Sequence, residues 1–100
     1  MEVLHNDEDL ERLENDPDAK SPHGATILRK FRYYLRLLRD ADDERDIRSM
    51  VGPKNFYKLD HNRSHQHAMR LNNQWRLILE FKKGNPKTVV VVQIIDYHKG

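Results

Sequence analysis

Residues 75–82 decide the fold class, and they read Trp75-Arg76-Leu77-Ile78-Leu79-Glu80-Phe81-Lys82. Large apolar side chains recur at every second position from Trp75 to Phe81, which is the period of a β-strand. One face of this strand therefore packs inward, and Arg76 is sent to the other face. An ion pair with Glu80, two positions along the same face, is a purely structural alternative for Arg76.

Three more segments with strand composition surround this stretch, at residues 55–59, 66–71 and 88–97. Polar residues separate them, and Asn72-Asn73 and residues 83–86 are predicted hairpin connections. Val3 and Leu4 favour a further short edge strand near the start of the chain. The second half of the chain is thus predicted to be a meander of strands.

Ahead of Pro53 the spacing of apolar residues becomes helical. Ser21-Pro22 predicts the start of the main helix, as an N-cap followed by a proline in the first turn. Shorter helices are predicted after a cap at Asn6 and after Asp42 or Asp43. The apolar stripe of the main helix is formed by Ile27, Phe31, Tyr34, Leu35 and Leu38.

Helices followed by strands predict an α+β fold, in which N-terminal helices pack on one face of a small antiparallel β-sheet. A chain of 100 residues accommodates one small domain over residues 1–100, without room for a large enclosed cavity. The outer face of the main helix is basic, and we expect it to be a solvated side.

The amino-acid composition limits both the cellular compartment we expect for the protein and the kinds of site it can contain. The chain has no cysteine, which excludes disulfides and thiolate sites and favours a reducing compartment, the cytoplasm. The acidic first twenty residues predict neither a signal nor a transit peptide. The longest apolar stretch, around residues 89–95, is too short for a membrane-spanning helix, so we expect no membrane association.

Charge divides the chain into two halves. Residues 1–50 hold nine Lys/Arg against thirteen Asp/Glu, while residues 51–100 hold nine against three. The basic half also contains Tyr57, Trp75 and Tyr97, so it is suited to a polyanion that carries stackable bases. A solvated basic surface is the alternative, and Trp75 is better explained as packing than as a base-stacking platform.

Several kinds of chemistry find no support in the sequence. No glycine-rich phosphate loop and no nucleophile-elbow motif occur, which argues against nucleotide-triphosphate and acyl-transfer chemistry. His61, His65, His67 and His98 are the best metal candidates, with His65 and His67 on one strand face. No further ligand stands at motif spacing, so we expect no metal and no cofactor.

Two motifs carry a resemblance to a known family. Residues 57–77, YKLDHNRSHQHAMRLNNQWRL, resemble the HigB killer-protein pattern of the RelE/ParE toxin superfamily. That pattern has a leucine, a short basic turn ending in arginine, a strand, and an Asn-x-x-Trp-Arg start of the next strand. Residues 95–98, Ile-Asp-Tyr-His, resemble the family's Asp-Tyr-His terminus. The resemblance covers nearly the whole chain.

The resemblance implies a RelE-like fold and a toxin that cleaves messenger RNA on the ribosome until an antitoxin binds. It also implies a HigA-like helix-turn-helix antitoxin as partner, with operator DNA bound only through that antitoxin. The catalytic positions it implies are Arg63, Arg76, Asp96, Tyr97 and His98. The RNA-binding positions it implies are Lys54, Lys58, His65, His67, Arg70 and Lys99.

Each implied residue type suits ribonuclease chemistry. His98 can move a proton near neutrality, and Asp96 can set its tautomer or act as a base. Tyr97 can orient the nucleotide or share in proton transfer, and Arg63 and Arg76 suit a phosphate in its transition state. We expect His98 and Arg76 near the open face of the sheet, where truncation leaves the fold largely intact.

The chain departs from the family pattern at three positions. The family commonly has histidine, lysine and glycine where this chain has Tyr57, Asp60 and His61. A carboxylate in place of a lysine near RNA phosphate is expected to reduce affinity and rate. Two other functions therefore stay open: a ParE-like toxin that acts on DNA gyrase by contact, and a degenerate toxin that only binds its antitoxin.

Overall fold

The computed structural model describes residues 1–98, which form three α-helices and one five-stranded mixed sheet. The helices are α1 (Glu8–Asn15), α2 (Ala25–Asp40) and α3 (Glu44–Val51). The strands are β1 (Glu2–His5), β2 (Phe56–Lys58), β3 (His67–Arg70), β4 (Trp75–Lys82) and β5 (Thr88–Asp96). A short 3-10 turn, His61–Arg63, connects β2 to β3.

The sheet has the order β1-β5-β4-β3-β2, with β4 at its centre. All neighbouring pairs are antiparallel except β1 and β5, which run parallel. A parallel pair needs a long crossover connection, and the three helices, which follow β1 directly, belong to that connection. The predicted α+β class is confirmed, and the parallel outer pair is its one difference from a purely antiparallel sheet.

The apolar stripe of α2 covers one face of the sheet, as the sequence predicts. Phe31, Leu35 and Leu38 are fully buried and share one core with Leu77 and Leu79 of β4. The hydroxyl of Tyr34 donates a hydrogen bond of 2.6 Å to the main-chain oxygen of Arg70. This bond satisfies a buried phenol and fixes the helix against β3.

Two predicted helix starts are wrong by a few residues. Asp7 rather than Asn6 caps α1, because its carboxylate accepts a hydrogen bond from the main-chain nitrogen of Leu10 at 2.9 Å. Helix α2 begins at Ala25 after Gly24, not at Pro22. The hydroxyl of Ser21 accepts from the main-chain nitrogen of His23 at 3.0 Å, so Ser21 stabilises a separate turn.

The start of α3 follows the prediction. Asp43 caps the helix by accepting from the main-chain nitrogens of Arg45 and Asp46 at 2.9 and 3.4 Å. Gly52 follows the last turn with φ of 85°, a left-handed conformation that favours glycine. The chain then turns directly into β2.

The outer face of α2 is only partly the solvated side that its charge predicts. Arg32 donates to the main-chain oxygens of Leu13 and Asp16, both at 2.8 Å. Arg39 forms a two-pronged ion pair with Glu14, which also contacts His5. Both arginines therefore fasten α1 and the loop after it to α2. None of the helices within residues 1–98 has the length and apolarity needed to cross a membrane.

Candidate functional site

The candidate site lies on the sheet face that the helices leave open. Strand register places Arg70 opposite Arg76 and Ala68 opposite Ile78 on this face. Leu77 and Leu79 alternate with them and point to the helices. Tyr57 of β2 is paired with Ala68 and so belongs to the open face as well. The helices thus cover one face of the sheet, and its other face is a shallow polar surface rather than a pocket.

Arg76 is at the centre of this surface and is only 7% exposed. Its Nε donates to the hydroxyl oxygen of Tyr57 at 3.0 Å, across the intervening strand β3. Its guanidinium carbon lies 4.2 Å from the ring centroid of Tyr97, a cation-π distance. Arg76 is thus buried and has two tyrosines as partners, so we now expect its truncation to lower the stability of the fold.

The turn before β4 explains why Arg76 is held so firmly. The side-chain oxygen of Asn72 accepts from the main-chain nitrogens of Gln74 and Trp75, both at 2.8 Å. The main-chain oxygen of Asn72 then accepts from Nη1 of Arg76 at 2.6 Å. This geometry accounts for the Asn-x-x-Trp-Arg spacing: the asparagine shapes the turn, and the turn orients the arginine.

The run Asp96-Tyr97-His98 continues from the end of β5 as a turn. Asp96 accepts from the main-chain nitrogen of His98 and from Nε2 of Gln74, each at 2.9 Å. The Tyr97 main-chain nitrogen donates to Gln74 at 2.6 Å. These contacts hold the main chain of the turn and leave Tyr97 and His98 exposed, with their rings 5.6 Å apart.

Arg63 contributes a second polar group to the same face. Its Nε donates to Gln66 at 3.2 Å, and the buried Gln66 in turn donates to Glu80 at 3.2 Å. The bond from Gln66 is the main cause that lowers the pKa of Glu80, with Lys82 adding to it, so this carboxyl is charged near neutrality. Glu80 is therefore bonded to Gln66 and Lys82, and the Arg76–Glu80 ion pair suggested by their spacing does not form.

The sequence-predicted RNA-binding residues do not all join this surface. Arg70 does: its register partner is Arg76, and its guanidinium donates to the side chain of Asn73. Lys54 and His65 lie in exposed turns, and Lys58 is exposed at the sheet edge. Lys99 lies outside the described residues.

His67 lies on the opposite face of the sheet. Its ring is stacked on Phe56 and lies edge-to-face with Phe81, with ring centroids 5.1 Å apart in both cases. Burial lowers the pKa of His67, and the cations Arg48, Lys58 and Lys87 act in the same direction against Glu44. The expected shared face with His65 is wrong, because β3 begins at His67 and His65 belongs to the preceding turn.

Two residues of the site were not identified as functional from the sequence. The sequence indicates Tyr57 as an aromatic residue of the basic half and as a departure from the family pattern, but not as a partner of Arg76 on the same face. Gln66 was not singled out, and a polar side chain only 8% exposed beside a strand is an unusual feature. Knowledge of the strand register was needed to find both.

The arrangement suits binding of a phosphodiester next to groups that can transfer protons. Arg63, Arg70 and Arg76 supply charge, while Tyr57, Tyr97 and His98 supply O–H and N–H groups. Because the Tyr57 oxygen accepts from Arg76, its own proton is free to be donated to a ligand. Among the described residues, no group of three His, Asp or Glu side chains is arranged to hold a metal ion.

A solved structure with the same fold is a YoeB/ParE toxin from Agrobacterium tumefaciens. It superimposes with a TM-score of 0.63, covers 97% of this chain and 99% of the other, and is 12% identical. At this identity the likeness shows the fold alone. No curated protein sequence matches the chain.

A sequence model of a toxin family matches residues 4–98, from β1 to the turn that follows β5. It describes the RelE-like toxin of the type II toxin-antitoxin system HigB. The match includes both the Asn-x-x-Trp-Arg turn and the Asp-Tyr-His run. The chain therefore belongs to the HigB-like family of RelE-like toxins of type II toxin-antitoxin systems.

Proposed function

We propose that this toxin is a ribosome-dependent endoribonuclease that cleaves messenger RNA and so blocks translation. The observation that carries the proposal is the group formed by Tyr57, Arg76 and Tyr97 on the open sheet face. Toxins of this family are typically endoribonucleases. The basic half of the chain forms this face, as expected for a surface that receives RNA.

Cleavage of RNA without a metal requires the 2′-hydroxyl to lose its proton and attack the adjacent phosphorus. A new bond forms between the 2′ oxygen and phosphorus while the bond to the 5′ oxygen breaks, and that oxygen takes up a proton. The products are a 2′,3′-cyclic phosphate and a 5′-hydroxyl. The protein must therefore supply a base, an acid and positive charge for the extra electron density on phosphorus.

His98 and Tyr57 are the groups we assign to proton transfer. His98 is exposed in the turn that Asp96 fixes, so its imidazole can approach a ribose or a leaving oxygen. The Tyr57 hydroxyl oxygen is 3.0 Å from Arg76 and can donate its proton to an oxygen on phosphorus. Asp96 acts through the main chain of the turn and is thus a positioning residue.

Arg76 is the group we assign to the phosphate. Its hydrogen bonds within the described residues use Nε and Nη1, so we assign Nη2 to the phosphate. The exposed ring of Tyr97 lies over the guanidinium and can stack on a base while it excludes water. Arg63 and Arg70 lie on the same face and are assigned to the flanking phosphates.

An antitoxin partner follows from membership in a type II system. We further propose that this antitoxin is a HigA-like helix-turn-helix protein that carries operator DNA binding for the pair, and that the toxin acts in the cytoplasm on the ribosome. The adjacent gene gives a direct check of the first point. A neighbour without a helix-turn-helix segment would contradict it.

The experiment for the main proposal measures cleavage of messenger RNA on translating ribosomes by the purified toxin. We expect cuts in the wild-type reaction and a loss of at least about a hundredfold for His98→Ala and for Tyr97→Ala. Tyr33→Ala is the matched control, since Tyr33 is an exposed tyrosine on α2 (44% against 54% for Tyr97). If messenger RNA stays uncut and gyrase is inhibited, the toxin has a ParE-like function instead. If the protein only binds its antitoxin, it is a degenerate toxin.

A further inference from the structure

Strand β5 has an unpaired edge beyond the end of β1. The two strands pair only over residues 88–91, and the last main-chain bond there runs from the nitrogen of Asn6 to the oxygen of Val91 at 2.8 Å. Residues 93–95 are paired with β4 on one side, next to a register shift at Val92, and within the described part of the chain they have no strand on the other side. This edge is therefore available for another strand.

One structural protection against pairing is present at this edge, a register shift at Val92 in the ladder with β4, but the sequence adds none. Residues 92–95 read Val-Gln-Ile-Ile and contain neither a charge nor a proline. Most protein edges carry lysine, proline or a very short strand, because exposed N–H and C=O groups recruit other chains. Strand β2 at the opposite edge has only three residues and ends on Lys58, so it follows that rule.

A groove of about 450 Å³ runs along the unpaired edge. Side chains of α1, of the loop before α2 and of β5 form its walls, and its apolar lining is suited to alternate side chains of an added strand. The residues that give it this character are Leu10, Leu13, Ala19, Pro22, His23 and Ile94. The ring of His23 is packed on Trp75 at 3.9 Å, which anchors the loop wall to the sheet.

The lining of the groove has two carboxylates, Asp7 and Asp9, and two cations, Arg12 and Lys20, but the segment around it is acidic. Residues 7–18 hold seven carboxylates and one arginine. Lys20, Arg32 and Arg39 lie on or against this segment, and the carboxylates still outnumber the cations. Asp9, on the rim of the groove, has a side chain that is 89% exposed.

We propose that an extended, basic segment of the antitoxin adds a strand to β5 at residues 92–95 and inserts apolar side chains into the groove. The inference rests on the toxin family, which supplies the antitoxin, and not on cleavage of RNA. Main-chain bonds to the edge give the register, the groove selects apolar side chains, and the carboxylates select lysine and arginine. RNA is a poor occupant because the same carboxylates repel phosphate.

Amide hydrogen exchange of the toxin, alone and in complex with the protein encoded beside it, tests the site. We expect amides within residues 92–95 that face the edge to exchange at least about tenfold more slowly in the complex. Protection confined to the open sheet face around Arg76 would overturn the proposal, as would a lack of any complex. A toxin dimer that protects this edge in the absence of antitoxin would assign the edge to a second copy instead.

Charge reversal tests the chemistry of the partner without disturbing the core. Asp9→Lys and Glu11→Lys together are expected to slow association with the antitoxin about tenfold at low salt, with a smaller effect at high salt. Asp42→Lys is the matched control, because Asp42 is an exposed carboxylate near the opposite end of β5. Equal effects of both changes, or faster association by the double variant, would overturn the proposal, whereas RNA cleavage is measured separately and does not enter this test.

Discussion

The hydroxyl oxygen of Tyr57 accepts a 3.0 Å hydrogen bond from Nε of Arg76, although the two residues belong to strands separated by β3. Both side chains have the same face because Tyr57 is paired with Ala68 and Arg76 is paired with Arg70. The bond fixes the guanidinium laterally while Tyr97 covers it from above. Tyr57 is thus part of the hydrogen-bonded group around Arg76 on the candidate site.

Tyr57→Phe is expected to reduce ribosome-dependent cleavage at least about tenfold, because it removes both a proton donor and the partner of Arg76. The ring is kept, so the sheet should remain folded. Circular dichroism checks the fold and the messenger RNA assay gives the rate. Tyr57→His returns the residue type common in the family and is expected to keep more activity than Tyr57→Phe. Faster cleavage by Tyr57→Phe than by Tyr57→His would show that the side chain at this position does not transfer a proton.

Arg76→Lys keeps the charge and loses the planar group that contacts Tyr57, Asn72 and Tyr97. We expect cleavage to fall about a hundredfold, since a lysine cannot bind the phosphate and its protein partners at once. We also expect a loss of about 1–3 kcal/mol in the free energy of unfolding, because buried acceptors lose their donors. Urea unfolding measures the second effect, and unchanged stability would show that the contacts of Arg76 are not structural.

The extent of prediction from sequence can be judged from particular residues. The burial of Leu77, Leu79 and the apolar stripe of α2 can be predicted from sequence, because the spacing of apolar residues within each segment is sufficient to show it. The start of α2 was missed, since Ser21 bonds to the main chain of a turn instead of capping the helix. Such a choice between two local hydrogen bonds has no separate signal in the sequence.

The candidate site was harder to predict because it depends on strand register. A shift of one residue sends every side chain of a strand to the other face, and the observed register pairs His67 with Leu79 on the face that the helices cover. His67 therefore packs in the core, and Gln66 contacts Arg63 on the open face. The Tyr57–Arg76 bond joins residues that only the complete sheet brings together.

Leu35→Asp is expected to prevent folding. Leu35 is fully buried on the face of α2 that contacts the sheet, so the carboxylate would lose its water without gaining a partner. The cost of about several kcal/mol is comparable with the whole stability of a small domain. Arg36→Asp, one position further along the same helix and exposed, is the control that should stay folded. Similar melting temperatures of the two variants would contradict the packing of α2.

Asp60→Lys is expected to raise the affinity of the toxin for RNA. Asp60 is exposed and directly precedes the His61–Arg63 turn, where its main-chain oxygen accepts from the main-chain nitrogen of Arg63 at 3.2 Å. One added phosphate contact steepens the dependence of log affinity on log salt by about 0.7 for a single strand. Titration of single-stranded RNA at several salt concentrations gives this slope. Asp18→Lys, an equal charge change in the acidic N-terminal segment, should leave the slope as it is.

His67 gives the toxin a predicted sensitivity to acid. The imidazole is packed between Phe56 and Phe81, and its Nδ1 is buried with no hydrogen-bond partner among the described residues. Burial lowers the pKa of His67 from its ordinary value of 6.5. Between that value and the lowered one, the unfolded chain binds a proton that the folded chain does not.

Stability contributed by neutral His67 is therefore fully present above about pH 6.5 and is lost as pH falls through the window down to the lowered folded pKa. Wild-type protein should unfold at lower urea concentration at pH 5.5 than at pH 7.5. His67→Phe and His67→Gln cannot take up this proton, so both should show a smaller difference between the two pH values. Burial also lowers the pKa of His23, so His23 accounts for part of the difference in stability between the two pH values that remains in these variants. If both variants lose as much stability between pH 7.5 and pH 5.5 as the wild type, His67 does not resist protonation in the folded protein.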